Sequence, residues 1–296
     1  MRTHNKTNQP IVGLALSGGA ARGIAHIGVL RAFAESGIKI DCVAGTSAGA
    51  LVGGALASGM PLSEIEVIGR KLRWRDIGRL TISRLGVQSN ERIEEYLRAR
   101  LPVTRFEDLP RPFAAIATDL NSGQAVVMRD NGDLPFAIRA SCAIPGWYLP
   151  VSDQQGRQLV DGGLVAMIPS AAARALGADI VIAVDVNAEG AKFFLPPQSA
   201  IGVILQSMLV VQRTVSWHQL QDADLVVSPP VGHIRWDELG RADELIAAGY
   251  EAGMKSSEAI HGLIASVAAA KPKKWYQFRR RNRTELKGRR PVIGRN

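Results

Sequence analysis

Two short apolar runs, each cut by a glycine-rich turn and each followed by a helix of small residues, constrain this chain more than anything else in it. Residues 11–16 end at Ser17-Gly18-Gly19, and residues 20–35 then carry Ile24, Ile27, Leu30 and Ala34 at helical spacing. Gly37 is the expected helix stop. Residues 38–44 form the second run, cut at Gly45-Thr46-Ser47-Ala48-Gly49, and another small-residue helix reaches Ser58-Gly59. Strand, helix, strand, helix at this spacing predicts parallel strands joined by right-handed crossovers.

Downstream the pattern stays mixed. Ser63-Glu64-Ile65-Glu66 reads as a capping box opening a helix to residue 74. Residues 76–88 read as irregular and basic, and 90–101 as an amphipathic helix. Residues 113–119 and 124–129 predict a hairpin around Asn121-Ser122-Gly123. A helix over 136–141 should stop at Ile144-Pro145-Gly146, and a strand through 158–160 should run into Asp161-Gly162-Gly163. A helix over 170–176, a strand over 179–186, and helices over 200–220 and 237–264 around a short strand at 225–227 complete the reading. No internal repeat is visible.

The class is therefore α/β, a single domain with an appendage. Residues 11–174 form its core with the motifs, 175–270 complete the same fold, and 271–296 are expected to be a disordered basic tail. Charge supports that division. The tail holds eleven Lys or Arg against one acid, Glu285, leaving 25 basic and 26 acidic residues elsewhere in the chain. The high pI thus belongs to the tail, and no nucleic-acid partner is expected for the folded body. Cys42 and Cys142 lie in apolar stretches without metal or redox spacing, so free core thiols are expected. The apolar run at 11–16 is shorter than the ~7–15 residues of a secretory core. Residues 48–60 and 201–211 fall short of the ~20 of a spanning helix. The expectation is a soluble, cytoplasmic protein.

Three turns carry the candidate chemistry. Each follows a predicted strand, and in open parallel sheets such turns gather at the carboxyl edge, where ligands bind. Gly45-Thr46-Ser47-Ala48-Gly49 is a G-x-S-x-G between strand and helix. A nucleophilic serine must project from a strained turn, which asks for small flanks such as Gly45, Ala48 and Gly49. The plain rival is a glycine turn that only permits tight packing. Gly18-Gly19-Ala20-Ala21-Arg22-Gly23 offers bare amides for an oxyanion, with Arg22 as support. A dinucleotide turn fits less well. Ala20 stands where pyrophosphate approach wants glycine, and Asp41 starts the second strand rather than ending it. No Gly-Lys-Ser/Thr follows, which excludes a phosphate-cradling loop. Asp161-Gly162-Gly163 alone is an ordinary turn; it gains weight because bases are few. His4 is near the polar start, His26, His218 and His261 fall in predicted helices, and only His233, in a polar loop, is a reasonable alternative base.

The sequence resembles the patatin-like phospholipase family, on its bacterial neuropathy-target-esterase-like side. The residues that carry this are LALSGGAARGIAHIGVL (14–30), VAGTSAGALVG (43–53), IRASCAIPGWYLPV (138–151) and VDGGL (160–164). FAAIATDLNSG (113–123) and GADIVIAVDV (177–186) add to it. The resemblance implies a three-layer α/β/α fold with a mainly parallel sheet, and a serine lipid hydrolase (phospholipase, lysophospholipase or esterase) acting on a lipid ester. It implies Ser47 as nucleophile and Asp161 as base in a dyad without histidine. The loop of Gly18, Gly19, Ala20, Arg22 and Gly23 would be the oxyanion hole, Gly45 and Gly49 the nucleophile elbow, and Gly162 and Gly163 the rest of the third motif. The family often has glycine where Ala20 stands; the amide donor is kept. No metal cluster is visible, and no cofactor is implied.

Two rivals stay open at this level: a Ser-His-Asp α/β-hydrolase, and a non-catalytic regulatory protein keeping the fold. The apolar segment around 144–148 reads equally as an acyl channel or as core. The tail interleaves basic residues with Trp275, Tyr276 and Phe278. Its plain reading is a solvated tail; peripheral contact with anionic membrane through 271–296 is a second, and a nucleic-acid arm a third.

Overall fold

Alternating large and small apolar residues along the strands decide the layering. The computed structural model describes residues 9–81, 83–188 and 196–270. In β1 (Val12–Leu16), Leu14 and Leu16 join one buried cluster while Ala15 joins another on the opposite face. The crossover is a 3-10 turn over Ala20–Ile24 and then α1 (Ala25–Glu35). β2 (Cys42–Thr46) and α2 (Ala48–Ala57) repeat the unit. α3 (Leu62–Lys71), α4 (Trp74–Ile77), the short strands β3 (Arg79–Leu80) and β4 (Gly86–Ser89), and α5 (Glu91–Arg98) follow. Next come β5 (Phe113–Asp119), β6 (Ala125–Arg129), α6 (Leu134–Ser141), β7 (Gly146–Tyr148), β8 (Val151–Ser152) and β9 (Gln158–Asp161). α7 (Ser170–Ala175), β10 (Ile180–Val184), α8 (Ala200–Gln219), β11 (Leu225–Val227) and α9 (Ala242–Ala270) close the order.

The main sheet runs β11-β10-β1-β2-β5-β9-β8, with β6 also on β5. The pairings from β11 through β5 are all parallel, whereas β6 and β9 run antiparallel to β5. The larger face, with Val43, Ile180, Ile182 and Val184, packs under α1, α2 and α9. The other face is mostly small (Ala15, Ala44, Ala114, Ala183), which lets α7 lie close. Both faces are covered, as parallel strands require, and the three-layer α/β/α expectation holds. Cys42 and Cys142 are free and buried. No helix among the described residues is long and apolar enough to cross a membrane.

β5 determines where the chemistry meets. Ala114 pairs with both Ala44 and Arg129, and Ala117 pairs with both Val126 and Asp161. So β6 takes one edge of β5, while β2 and β9 share the other, end to end. β2 stops at Thr46, opposite Ile116; β9 stops at Asp161, opposite Ala117.

Several expectations are corrected by these packings. β9 is antiparallel, so Asp161 does not arrive at the carboxyl edge of a parallel strand but meets that edge from the opposite direction. The capping box at Ser63 is absent: α3 starts two residues earlier than a cap at Ser63 would have it, behind Pro61 with φ −57°, which puts Ser63 inside the helix. A reciprocal cap occurs instead at Arg73, whose amide donates to the Asp76 side chain. The irregular stretch 76–88 contains β3 and the start of β4, which pairs with the unforeseen β7. The helix expected over 237–264 begins at Ala242 and reaches Ala270. Residues 1–8 and the basic tail 271–296 lie outside the described residues.

α1 and α9 meet backbone to backbone. A side-chain carbon on Gly249 would strike the Ala25 carbonyl, and one on Gly28 the Ile246 carbonyl. Gly249→Ala should therefore lower the unfolding free energy by about 2–3 kcal/mol in urea titration. Ala substitution at Gly262 on the same helix, where a side chain meets open space, serves as the control and should not destabilise.

Candidate active site

The β2 turn delivers Ser47 in a conformation that side chains avoid. Its φ of 54° and ψ of −122° place it outside the helical and extended regions. Such a residue costs on the order of 1–3 kcal/mol and persists only where its surroundings hold it. The surroundings are visible. The Ser47 amide donates to Ser141 Oγ at 2.9 Å, and that hydroxyl donates to the Ile116 carbonyl at 2.5 Å. Thr46 Oγ1 donates to the Ala166 carbonyl at 2.7 Å. Gly45 and Gly49 face each other across the elbow, and a side chain on Gly49 would meet the Leu16 carbonyl.

Asp161 comes to the same point along β9. Its backbone is clamped on both sides: the amide donates to the Ala143 carbonyl at 2.9 Å, and its carbonyl accepts from Thr118 Oγ1 at 2.9 Å. The carboxyl is buried. It accepts from the Gly163 amide at 2.8 Å and faces the same cavity as Ser47. Burial pushes its pKa up to about 6, against the lowering effect of the Ser47 side chain and the Gly163 amide. Gly162 lies flat on the Ile116 carbonyl, where a side chain would not fit.

The glycine loop after β1 is held from three directions. The Gly18 amide donates to the Met167 carbonyl at 3.1 Å, and Asn187 Nδ2 donates to the Gly18 carbonyl at 2.7 Å. The Ala21 amide donates to the Trp236 carbonyl, and Arg22 Nε to the Ile234 carbonyl at 2.6 Å. Ala20 has a positive φ of 49°. Gly18 is thus removed from the expected set of free donors, because its hydrogen already has an acceptor. The Gly19 and Ala20 amides have none among the described residues. Gly23 packs against Ala48, so its role is to let the loop lie on α2. Arg22 is buried and spans the loop, reaching Asn187 Oδ1 at 3.3 Å; it braces backbone as well as lining the pocket.

These parts share one cavity, whose walls include Ile144, Pro145, Met167, Met208, Leu209 and Trp236. Ile144 and Pro145 therefore line the cavity, while Tyr148 is buried in the core. None of the described histidines lines it. His233 is 46% exposed and pairs with Glu244 at 2.7 Å. His218 and His261 are exposed on long helices. His26 is fully buried, and burial lowers its pKa to about 4. Its neutral ring donates from Nε2 to the Ser17 carbonyl at 2.8 Å, just before the glycine loop. Ser141 and Asn187 were not singled out from the sequence, and His26 was weighed there only as a helical histidine. Ser141 could have been: a hydroxyl in the middle of an apolar run asks for a partner.

Chemically, the arrangement is a hydroxyl held against a buried carboxyl, beside two open amides, in an apolar pocket. Residues 14–174 match the family described as patatin-like phospholipase. An uncharacterised NTE family protein of Mycobacterium tuberculosis is 42% identical over 184 residues, covering 61% of this chain and 50% of its own. The patatin-like phospholipase domain-containing protein 7 of Rattus norvegicus is 28% identical over 281 residues, covering 82% of this chain and 20% of its own. The chain thus spans half or less of the length of these relatives. Among solved structures, VipD from Legionella pneumophila superposes with a TM-score of 0.52 at 13% identity, over 86% of this chain and 67% of that one; this likeness is one of fold. With its motifs in order and the match covering more than half its length, the chain belongs to the patatin-like phospholipase family.

Proposed function

We propose that this protein hydrolyses fatty-acyl esters of lipids through a Ser47–Asp161 dyad. The observation that carries the reading is the buried Asp161 carboxyl sharing with Ser47 a pocket that no described histidine lines. Ser47 Oγ attacks the ester carbonyl while Asp161 takes its proton. The Gly19 and Ala20 amides, with the positive end of the α1 crossover behind them, face the oxygen that becomes negative. The alcohol leaves with the proton from Asp161, giving an acyl-Ser47 ester. Water then attacks that ester, Asp161 takes the water's proton and returns it to Ser47 Oγ, and the fatty acid departs. Raised basicity suits Asp161 as the proton acceptor. A carboxylate near 6 accepts a proton more readily than one near 4, yet is still ionised at neutral pH. The apolar walls favour the acyl portion of the substrate.

The basic segment 271–296 is proposed to add peripheral attraction to anionic headgroups, at about 1 kcal/mol per basic residue near the surface. Replacing Arg279, Arg280 and Arg281 by Gln should then weaken binding to phosphatidylglycerol vesicles at least tenfold in low salt. Unchanged binding would remove that role.

Ser47→Ala and Asp161→Asn should each reduce hydrolysis of a short-chain ester by about a thousandfold or more, and His233→Ala should leave it intact. A fluorophosphonate probe should label Ser47, read by peptide mass spectrometry. Label on another residue, or an active Asp161→Asn with a dead His233→Ala, would replace the dyad by a triad.

The pH dependence follows from burial of the base. Ionised Asp161 is required, so kcat/KM should rise through about pH 6 and level off above it. A rise centred near pH 4 would mean a solvated carboxylate. Stability should run the other way. A carboxyl whose pKa is higher folded than unfolded contributes stability present below about pH 4 and lost as pH rises through about 6. Asp161→Asn should therefore be more stable than the parent above neutral pH, by on the order of 3 kcal/mol, and the difference should shrink in acid.

A further inference from the structure

α8 leaves a row of apolar side chains uncovered. Among its described side chains the two that are buried are polar: Gln212, 8% exposed, and Ser216, 9%. Gln212 lines the Ser47 cavity and lies against Gly163. Ser216 Oγ donates to the Gln212 carbonyl, and Gln219, at the end of the helix, holds the 165–168 loop through the Val165 carbonyl and the Ile168 amide. Met208 and Leu209 share that inner side, and a second set of apolar side chains points the other way. Val203, Ile204, Val210 and Val211 are 50–56% exposed, and Trp217 is 71% exposed. Their spacing, with Ser207 and Thr214 between them, follows one helical stripe about 21 Å long. Water is the wrong neighbour for such a face.

The charges on the helix indicate the neighbour. Residues 200–219 contain one Lys or Arg, Arg213, and no acid. Arg213 is exposed on one flank of the stripe, beside Val210 and Trp217. A second copy docked face to face about a two-fold axis would add a second Arg213 to the rim of the contact with no acid on α8 to offset either one. An anionic headgroup would offset that charge, and apolar side chains flanked by an exposed Trp suit the boundary between headgroups and acyl chains. The opposite side of the same helix supplies Met208, Leu209 and Gln212 to the Ser47 cavity. A surface that held the stripe would therefore lie one helix diameter from the reacting carbonyl.

We infer that α8 is an interfacial helix that seats the protein on an anionic lipid surface with its stripe in the headgroup layer and its inner side on the active-site cavity. This deepens the lipid-hydrolase reading by naming where substrate is met, and it rests on that reading only for its purpose. The binding itself is a separate measurement.

The test uses the full chain carrying Ser47→Ala, so that no turnover enters the reading. Binding to phosphatidylcholine–phosphatidylglycerol vesicles is followed by co-sedimentation and by the blue shift of Trp217 fluorescence, with Trp217→Phe as the blank. Val210→Asp with Val211→Asp should lower the partition coefficient at least tenfold. High salt should not erase the contribution of the stripe, which separates it from that of the basic tail. With Ser47 intact, the double variant should keep its hydrolysis of a water-soluble short-chain ester but lose hydrolysis of vesicle phospholipid. Trp217→Ser provides a milder second variant should the double one fail to fold, with a several-fold loss of partitioning expected. Unchanged vesicle binding in these variants overturns the inference. So does a parent dimer that the double variant splits while vesicle binding stays as it was, which would make the second copy the occupant. A protein that binds vesicles through α8 but cleaves no ester sinks the hydrolase reading and leaves this one standing.

Discussion

The site depends on one shared strand edge. β5 offers a single line of backbone hydrogen bonds to two strands coming from opposite directions, and they end at neighbouring positions, opposite Ile116 and Ala117. Because strand pairing is fixed to the residue, a slip of one position would turn Asp161 to the other face of the sheet. The Ile116 carbonyl serves the arrangement again, accepting from Ser141, which in turn accepts from the Ser47 amide. Gly162 has no side chain because that carbonyl fills the space. Ser47 and Asp161 lie far apart along the chain, yet their separation in space is set by two consecutive residues of β5.

That precision is held against local cost. Ser47 sits at positive φ, Ala20 does as well, and Asp161 is a carboxyl removed from water. Each is unfavourable by itself. The compensation comes from around them: strand ladders on both sides of β5, the Trp236 and Ile234 carbonyls that fix the glycine loop, and neutral His26 holding the Ser17 carbonyl. The close packing of α1 on α9 keeps the loop's crossover in place. Strain and desolvation at the centre, with over-determined packing outside it, are what a preorganised site requires.

Much of this was legible without coordinates because it is local chemistry. The elbow at Ser47 is a run of small residues between a strand and a helix, a pattern set by neighbours within a few positions. The sheet's parallel half follows from tight strand–helix spacing. The errors fall where a distant partner decides. Ser63 looked like a cap, but Pro61 had already started the helix. Gly18 looked like a free donor, but Met167, far along the chain, takes its hydrogen. His26 looked like one more helical histidine, and only burial and the Ser17 carbonyl give it a role.

Residue order alone was enough for the fold class, the serine elbow and the family motifs, since these depend on neighbours within a few positions. It placed Asp161 only by scarcity of histidines and by resemblance. Packing decided the rest: the antiparallel β9 that brings Asp161 to Ser47, the desolvation that raises its pKa, the two amides left open, and the outward apolar stripe of α8. Each of these is a matter of which groups lose water and which find partners, and that depends on residues far apart in the chain.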